Sequence, residues 1–238
     1  MPESNATAQD RQRLPGWFTP AIFVAGLVAA IVTEPAVNAN HDRFYTDLGL
    51  PPWPDELLWR AFMDEVKNHS ICYGVLGMAT VGLIAMVVGA IRSPLRALIT
   101  LVASGIVGLC LGAAVGIGGW YLDERILRVM DIDSILKAFI IFIPIWLIIM
   151  FATNVCSLLA IGRSALIGKA FINSLFYSII AVVVYVAIVT FAYPMDWPGL
   201  IVPEFSHARW VLYIAGCLGA SLSVFSTIRK DRNNQSEN

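Results

Sequence analysis

The chain has 238 residues, 58% of them hydrophobic and only 14% charged, with a mean hydropathy of +0.71 and a formal net charge of -1. That composition excludes an ordinary water-soluble domain and gives no ground for a nucleic-acid partner. A bilayer core about 30 Å thick needs roughly 20 helical residues, and hydrocarbon obliges the backbone to satisfy its own hydrogen bonds, so the long apolar runs are expected to be helices that cross the bilayer.

Residues 1–16 are polar and carry Pro2, Arg11, Arg13 and Pro15; they predict a disordered tail. The first span is expected at 17–33. The basic lead-in and the small residues around Val37 and Ala39 also fit a cleavable signal peptide, and cleavage after Ala39 would leave five spans. Retention is favoured, because the apolar run is long for a signal core.

Residues 34–70 form the longest loop. Its first half, HDRFYTDLGLPPWP, is rich in turn formers, whereas 55–67 predicts a helix with Leu58, Trp59, Phe62, Met63 and Val66 on one face and Glu56, Arg60, Asp64 and Lys67 on the other. Such a helix lies flat on the outer leaflet or packs as a lid on the span ends. The run Phe44, Tyr45, Leu48, Pro51, Trp53 resembles the WYxxLxxPxW motif of the tryptophan-rich sensory protein family, whose members bind porphyrins and sterol-like ligands. The likeness covers about ten residues. That family has five spans, and its later tryptophan-rich helices have no counterpart here, so neither fold nor ligand is carried over.

Spans two to six are expected at 71–91, 97–121, 135–161, 170–193 and 210–228, followed by a polar, disordered tail at 229–238. In span three Gly105, Gly108, Gly112, Gly116 and Gly119 recur every three or four residues and share a helix face. Small residues let backbones approach closely, which predicts a helix-packing seam; a substrate groove or homo-oligomer face is the rival. Span four contains Pro144 beside Trp146, where a kink is expected. The turns AIRSPLRALI and AIGRSALIGKAFI echo each other, as two hairpins related by parallel duplication would.

Counting Lys and Arg against Asp and Glu, the two tails and the two short turns hold nine basic and four acidic residues, and the other three loops hold seven and 13. Cationic loops stay in the cytoplasm, so both termini are expected inside a bacterial-type inner membrane. The opposite side carries Trp53, Trp59, Trp120, Trp197 and Trp210, as an interfacial belt would, with Trp17 at the inner boundary.

No ionisable residue falls in the middle of an expected span, which disfavours a proton relay. HExxH, GxSxG and Walker A patterns are missing too, so no catalytic residue is assigned and no cofactor is expected. His41, His69 and His207 and the carboxylates Glu34, Asp42, Asp123, Glu124, Asp131, Asp133, Asp196 and Glu204 fall in external loops without helical metal-ligand spacing. Cys72, Cys110, Cys156 and Cys217 lie one to a span, which argues against disulfides or zinc.

Ser104, Asn154, Tyr177 and Ser221 each lie eight or nine residues from a basic boundary, roughly 12 Å deep at about 1.5 Å per residue. Ser157 and Asn173, with Ser174, lie slightly nearer the cytoplasm. Ser104, Asn154, Ser157, Asn173, Tyr177 and Ser221 therefore form a candidate inner polar pocket, with interhelical hydrogen bonding as the plainer role.

The expectation is an all-α, polytopic transmembrane helical bundle of six spanning helices plus one outer interfacial amphipathic helix, with the bundle covering 17–228. Its expected role is that of a non-catalytic structural, assembly or accessory subunit, meeting a membrane-protein partner through loop 34–70 within the lipid bilayer. A channel or carrier for a neutral or lipid-like molecule is the alternative, and an intramembrane enzyme the third reading.

Overall fold

Apolar runs of this length have one stable form in hydrocarbon, and the chain adopts it six times. The computed structural model describes residues 14–40, 43–47, 51–127, 132–193, 202–203 and 205–235. Helix α1 covers Phe18–Asn38, α2 Asp55–Ala90, α3 Pro94–Leu122, α4 Ser134–Ile161, α5 Ile167–Ala192 and α6 Ser206–Gln235. Each is long and apolar enough to cross a membrane, and the chain is an all-α bundle. The expectations for 1–13, 48–50, 194–201 and 236–238, and for His41, Asp42, Asp131 and Glu204, lie outside the described residues.

Local chemistry marks the ends. Ser93 caps α3 by accepting from the Arg96 N–H at 3.2 Å, with Pro94 at the first helical position, where its missing donor costs nothing. Asp133 caps α4 by accepting from the Ile135 N–H at 2.8 Å. Helix α4 stops at Gly162, whose φ of 71° lies in the left-handed region that suits glycine. Arg92 donates to the neighbouring Ile161 carbonyl and so satisfies one of the end groups that α4 leaves open.

Three boundaries differ clearly from expectation, and the first is that α1 runs to Asn38 instead of ending at Thr33. The amphipathic stretch 55–67 is not a separate flat helix: it is the beginning of α2, which runs without a break through 36 residues. At about 1.5 Å per residue that is about 54 Å, against about 30 Å of hydrocarbon, so roughly 16 residues extend past the membrane. Nothing between Lys67 and Ile71 breaks a helix, since the intervening residues are Asn68, His69 and Ser70. Likewise α6 continues to Gln235 instead of ending at Ile228, because neither Gly nor Pro interrupts the polar stretch.

Helix α4 packs against α2, α3, α5 and α6, and α1 closes the gap between α2 and α6. The bundle is held by small residues where backbones meet. A Cβ placed on Gly108 would lie 2.2 Å from the Gly77 carbonyl oxygen, one on Gly112 2.1 Å from that of Tyr73, and one on Gly116 2.5 Å from that of His69. The glycine face of α3 is thus filled by α2. Gly105 sits more loosely at its edge, 3.6 Å from the Met78 side chain, and Gly119 turns toward Ile145 of α4.

Trp146 is buried against Gly216 of α6, where any added Cβ would overlap the indole. Helix α4 contains no glycine and α5 only Gly168, which meets nothing, so the two hairpins that echo in sequence are packed by different means. The exposed stripes of α3 and α5, such as Leu98, Val102, Ile106, Ile172, Phe176 and Val183, are the faces left for lipid.

Candidate functional site

A concavity stands where α2 leaves the membrane. Asn68, 2% exposed, holds the segment 43–47 against α2: the Phe44 N–H donates to Asn68 Oδ1 at 3.0 Å, and Asn68 Nδ2 donates to the Phe44 carbonyl at 2.8 Å. One turn earlier the Thr46 hydroxyl donates to Asp64 Oδ2 at 2.6 Å. Three contacts therefore lay an irregular strand along a helix.

The facing wall comes from α3. Trp120 meets Phe62 edge-on with ring centroids 4.7 Å apart, and Trp59 stacks on the other side of Phe62 at 5.2 Å. Beyond Trp120 the helix widens into a π-helical turn, Asp123–Leu127, which brings Asp123, Glu124 and Arg125 to the rim. Single π turns recur at functional sites. Between these walls is a half-open cavity of about 650 Å³, lined by Phe44, Tyr45, Phe62, His69, Trp120 and Val202 among others.

Charge in the walls is unbalanced. Asp64, Glu65, Asp123 and Glu124 line the cavity together with Arg125. Lys67 pairs with Asp64 at 2.9 Å and Lys137 pairs with Asp123. The Thr46 hydroxyl, and then Lys67, hold the Asp64 carboxyl below its ordinary range. Burial pushes the His69 imidazole down, against the Glu65 carbonyl and the charge of Asp123, so this ring favours its neutral form. The cation of Arg125 lies 5.6 Å from the Phe62 ring centroid and that of Lys67 lies 5.1 Å from Phe44. These aromatic faces already meet positive charge.

The sequence-marked polar layer is divided among separate contacts. Asn154 Nδ2 lies 3.1 Å from the Met150 carbonyl, 3.0 Å from Ser174 Oγ and 2.7 Å from Ser223 Oγ, so it clasps α4, α5 and α6. Asn173 donates to Thr227 Oγ1 at 2.8 Å, and the Tyr177 and Ser226 hydroxyls share a bond of 2.7 Å. Ser221 faces the other way, donating to the Ile22 carbonyl of α1 at 2.9 Å, and Ser104 bonds back to Thr100 within α3. Ser157 is buried, and neither its hydroxyl nor Asn154 Oδ1 has a hydrogen-bond partner among the described residues. The α6 partners Ser223, Ser226 and Thr227 were not singled out from the sequence, although the hydroxyl-rich run SLSVFST was a readable signal.

Glu34 requires correction. It is not a loop residue but part of the last turn of α1, and it is 7% exposed. Its carboxylate lies 3.6 Å from Arg209, itself 2% exposed, which also donates to Asn38 Oδ1 at 2.6 Å and to the Pro203 carbonyl at 3.0 Å. Asp123 is likewise buried in the π turn instead of exposed in a loop, because Lys137 is there to pair with it. His207 lies in the first turn of α6, with its ring 4.3 Å from Tyr193.

Among the described residues no group of three or more His, Cys, Asp or Glu is placed to hold a metal. The six apolar helices make the chain a multi-pass membrane protein, and its comparison with protein families, curated proteins and solved structures finds no match.

Proposed function

We propose that this protein is a non-catalytic accessory subunit of the membrane, whose working face is the platform built by 43–47, the protruding part of α2 and the π turn after α3. One observation carries this reading: the platform is assembled by specific contacts and frames a half-open cavity, while the polar groups inside the bundle mostly bond to one another. A carrier needs groups left open for cargo, whereas Asn173, Tyr177 and Ser221 each bond to a neighbouring helix, and among the described residues of the layer only the Ser157 hydroxyl and Asn154 Oδ1 stay open.

The charge balance of the loops supports placing the platform outside and both termini in the cytoplasm of a bacterial-type inner membrane. Trp59 and Tyr45, both well exposed on the platform, would then meet the partner. The test is a photo-crosslinking amino acid at Trp59 or Tyr45 in native membranes. A discrete adduct to one membrane protein, missing when the crosslinker stands at Leu98 on the lipid-facing stripe, is expected. Lipid adducts alone from all three positions would overturn the proposal.

A further inference from the structure

The end of the bundle opposite the platform carries a surface of its own. The turn from α2 to α3 holds Arg92 and Arg96, the turn from α4 to α5 holds Arg163 and Lys169, and neither turn contains an acid. Arg92 reaches out of its own turn to the Ile161 carbonyl, so the two turns form one surface. Helix α6 ends here too, because Thr227 bonds to Asn173 near the start of α5. Helix α1 begins here, with its Ile22 carbonyl on Ser221.

Positive charge at this end survives any pairing. The two turns and the chain ends beyond α1 and α6 hold nine Lys and Arg against four Asp and Glu, so an excess of five remains even if every carboxylate finds a partner. Arg163 and Lys169 have contacts of their own, and that count already allows for them. The nearest acids along α2 and α3 are remote: Arg92 lies 27 residues after Glu65, and Arg96 lies 27 residues before Asp123. At about 1.5 Å per residue each is about 40 Å away, against a Debye length of about 8 Å at physiological ionic strength.

Beside the cations the surface is apolar. Leu95, Leu98 and Ile99, in the first two turns of α3, are all more than half exposed, and Arg96 stands exposed among them. The cap from Ser93 to the Arg96 N–H fixes the start of that helix. A phospholipid with an acidic headgroup presents an anion above hydrocarbon, which is the complement of this arrangement. A nucleic acid or an acidic protein would use the cations and leave the leucines idle.

We infer that this end of the bundle binds anionic phospholipid, with the phosphate at Arg92 and Arg96 and the acyl chains along Leu95, Leu98 and Ile99. Arg92 keeps donors for the phosphate, since a guanidinium has five N–H groups and the Ile161 carbonyl takes one of its nitrogens. The platform plays no part in this binding, so the accessory role stands or falls separately.

The test uses the full-length protein, immobilised from maltoside micelles that contain equal amounts of phosphatidylglycerol and phosphatidylcholine with the same acyl chains. The lipids retained after washing are quantified by mass spectrometry. Phosphatidylglycerol should be retained over phosphatidylcholine by about tenfold, because each Lys or Arg near an anionic headgroup is worth about fivefold. Arg92→Gln and Arg96→Gln should each lower that ratio about three- to fivefold. Arg60→Gln, at the opposite end of α2, should leave it unchanged.

A ratio near one in the wild type, a ratio that Arg92→Gln and Arg96→Gln together do not lower, or an equal loss with Arg60→Gln would overturn the inference. Displacement of the lipid by inorganic phosphate would also overturn it, by showing that the site takes a free anion. An unchanged elution volume and melting midpoint verify that each variant is folded. Should Arg92→Gln disturb the fold by freeing the Ile161 carbonyl, Arg96→Gln, which leaves that bond in place, decides the matter.

Discussion

The side-chain amide of Asn68 pairs with the backbone of Phe44 through both its donor and its acceptor, as one strand would pair with another. A buried amide satisfied in this way has no reason to compete for the helix backbone around it, and α2 passes through Asn68 uninterrupted.

Asn68→Ala should therefore free the segment 43–47 without unseating the spans. Losing the amide leaves the partly buried N–H and carbonyl of Phe44 to water, a cost of about 0.5–1.5 kcal/mol each. Faster hydrogen exchange at Phe44 to Thr46, with unchanged exchange in the core of α4, is the expected signature.

Acid should loosen the same segment from its other end. The folded Asp64 carboxyl titrates below its unfolded value because the Thr46 hydroxyl and Lys67 favour its charged form. Its stabilisation is therefore complete above the unfolded pKa, about 3.9, and disappears as the pH falls through the lower folded value. Proteolysis after Arg43 by an acid-stable protease should accelerate below about pH 4 in the wild type. Asp64→Asn should remove most of that pH dependence.

The glycine seam predicts opposite outcomes for two similar substitutions in one helix. Gly108→Ala drives a methyl group into the Gly77 carbonyl and should cost about 1–3 kcal/mol. Gly118→Ala meets nothing within 4 Å and should be neutral or gain about 0.5–1 kcal/mol from helix propensity. Unfolding in mixed micelles measures both; equal effects would show that close approach of α2 and α3 is not what the glycines provide.

Asn154→Leu should cost about 0.6–1.7 kcal/mol, the range for interhelical hydrogen bonds in membranes, and leave crosslinking from Trp59 unchanged. Loss of crosslinking in a folded variant would instead connect the polar layer to the working face.

For the buried pair, Arg209→Met alone should destabilise by about 3–5 kcal/mol, because it strands the Glu34 carboxylate, and Glu34→Gln should cost less, because Asn38 and the Pro203 carbonyl still hold the guanidinium. The double variant should recover much of that loss, and a thermodynamic cycle in the same micelles measures the coupling.

How much of this was legible depended on whether the signal was local. Hydropathy set the spans, and the spacing of Gly108, Gly112 and Gly116 gave their common face, because both are properties of a single helix. Which surface that face would meet was not written in α3 itself: the glycines that answer it, Gly74, Gly77, Gly82 and Gly89, lie in α2. Depth placed Ser221 in one layer with Asn154, yet the two point to different neighbours, since distance from a basic boundary fixes height and not direction around the bundle. The docking of 43–47 on α2 depended on Asn68 finding Phe44, 24 residues away, and the burial of Glu34 on Arg209 in the last helix. Contacts of that separation leave no local trace.

Because α2 is one rod, its protruding part and its membrane part cannot be turned independently. An object gripping the face of Phe62 would twist the same shaft that seats Gly77 on Gly108 and sets Thr80 3.3 Å from Cys217 of α6. Carbonyl oxygens and α-carbons at such close range act like meshed teeth, so rotation of the shaft must carry α3 along or separate the gear. The platform is thus mechanically part of the membrane domain, and a load applied outside the bilayer is delivered inside it.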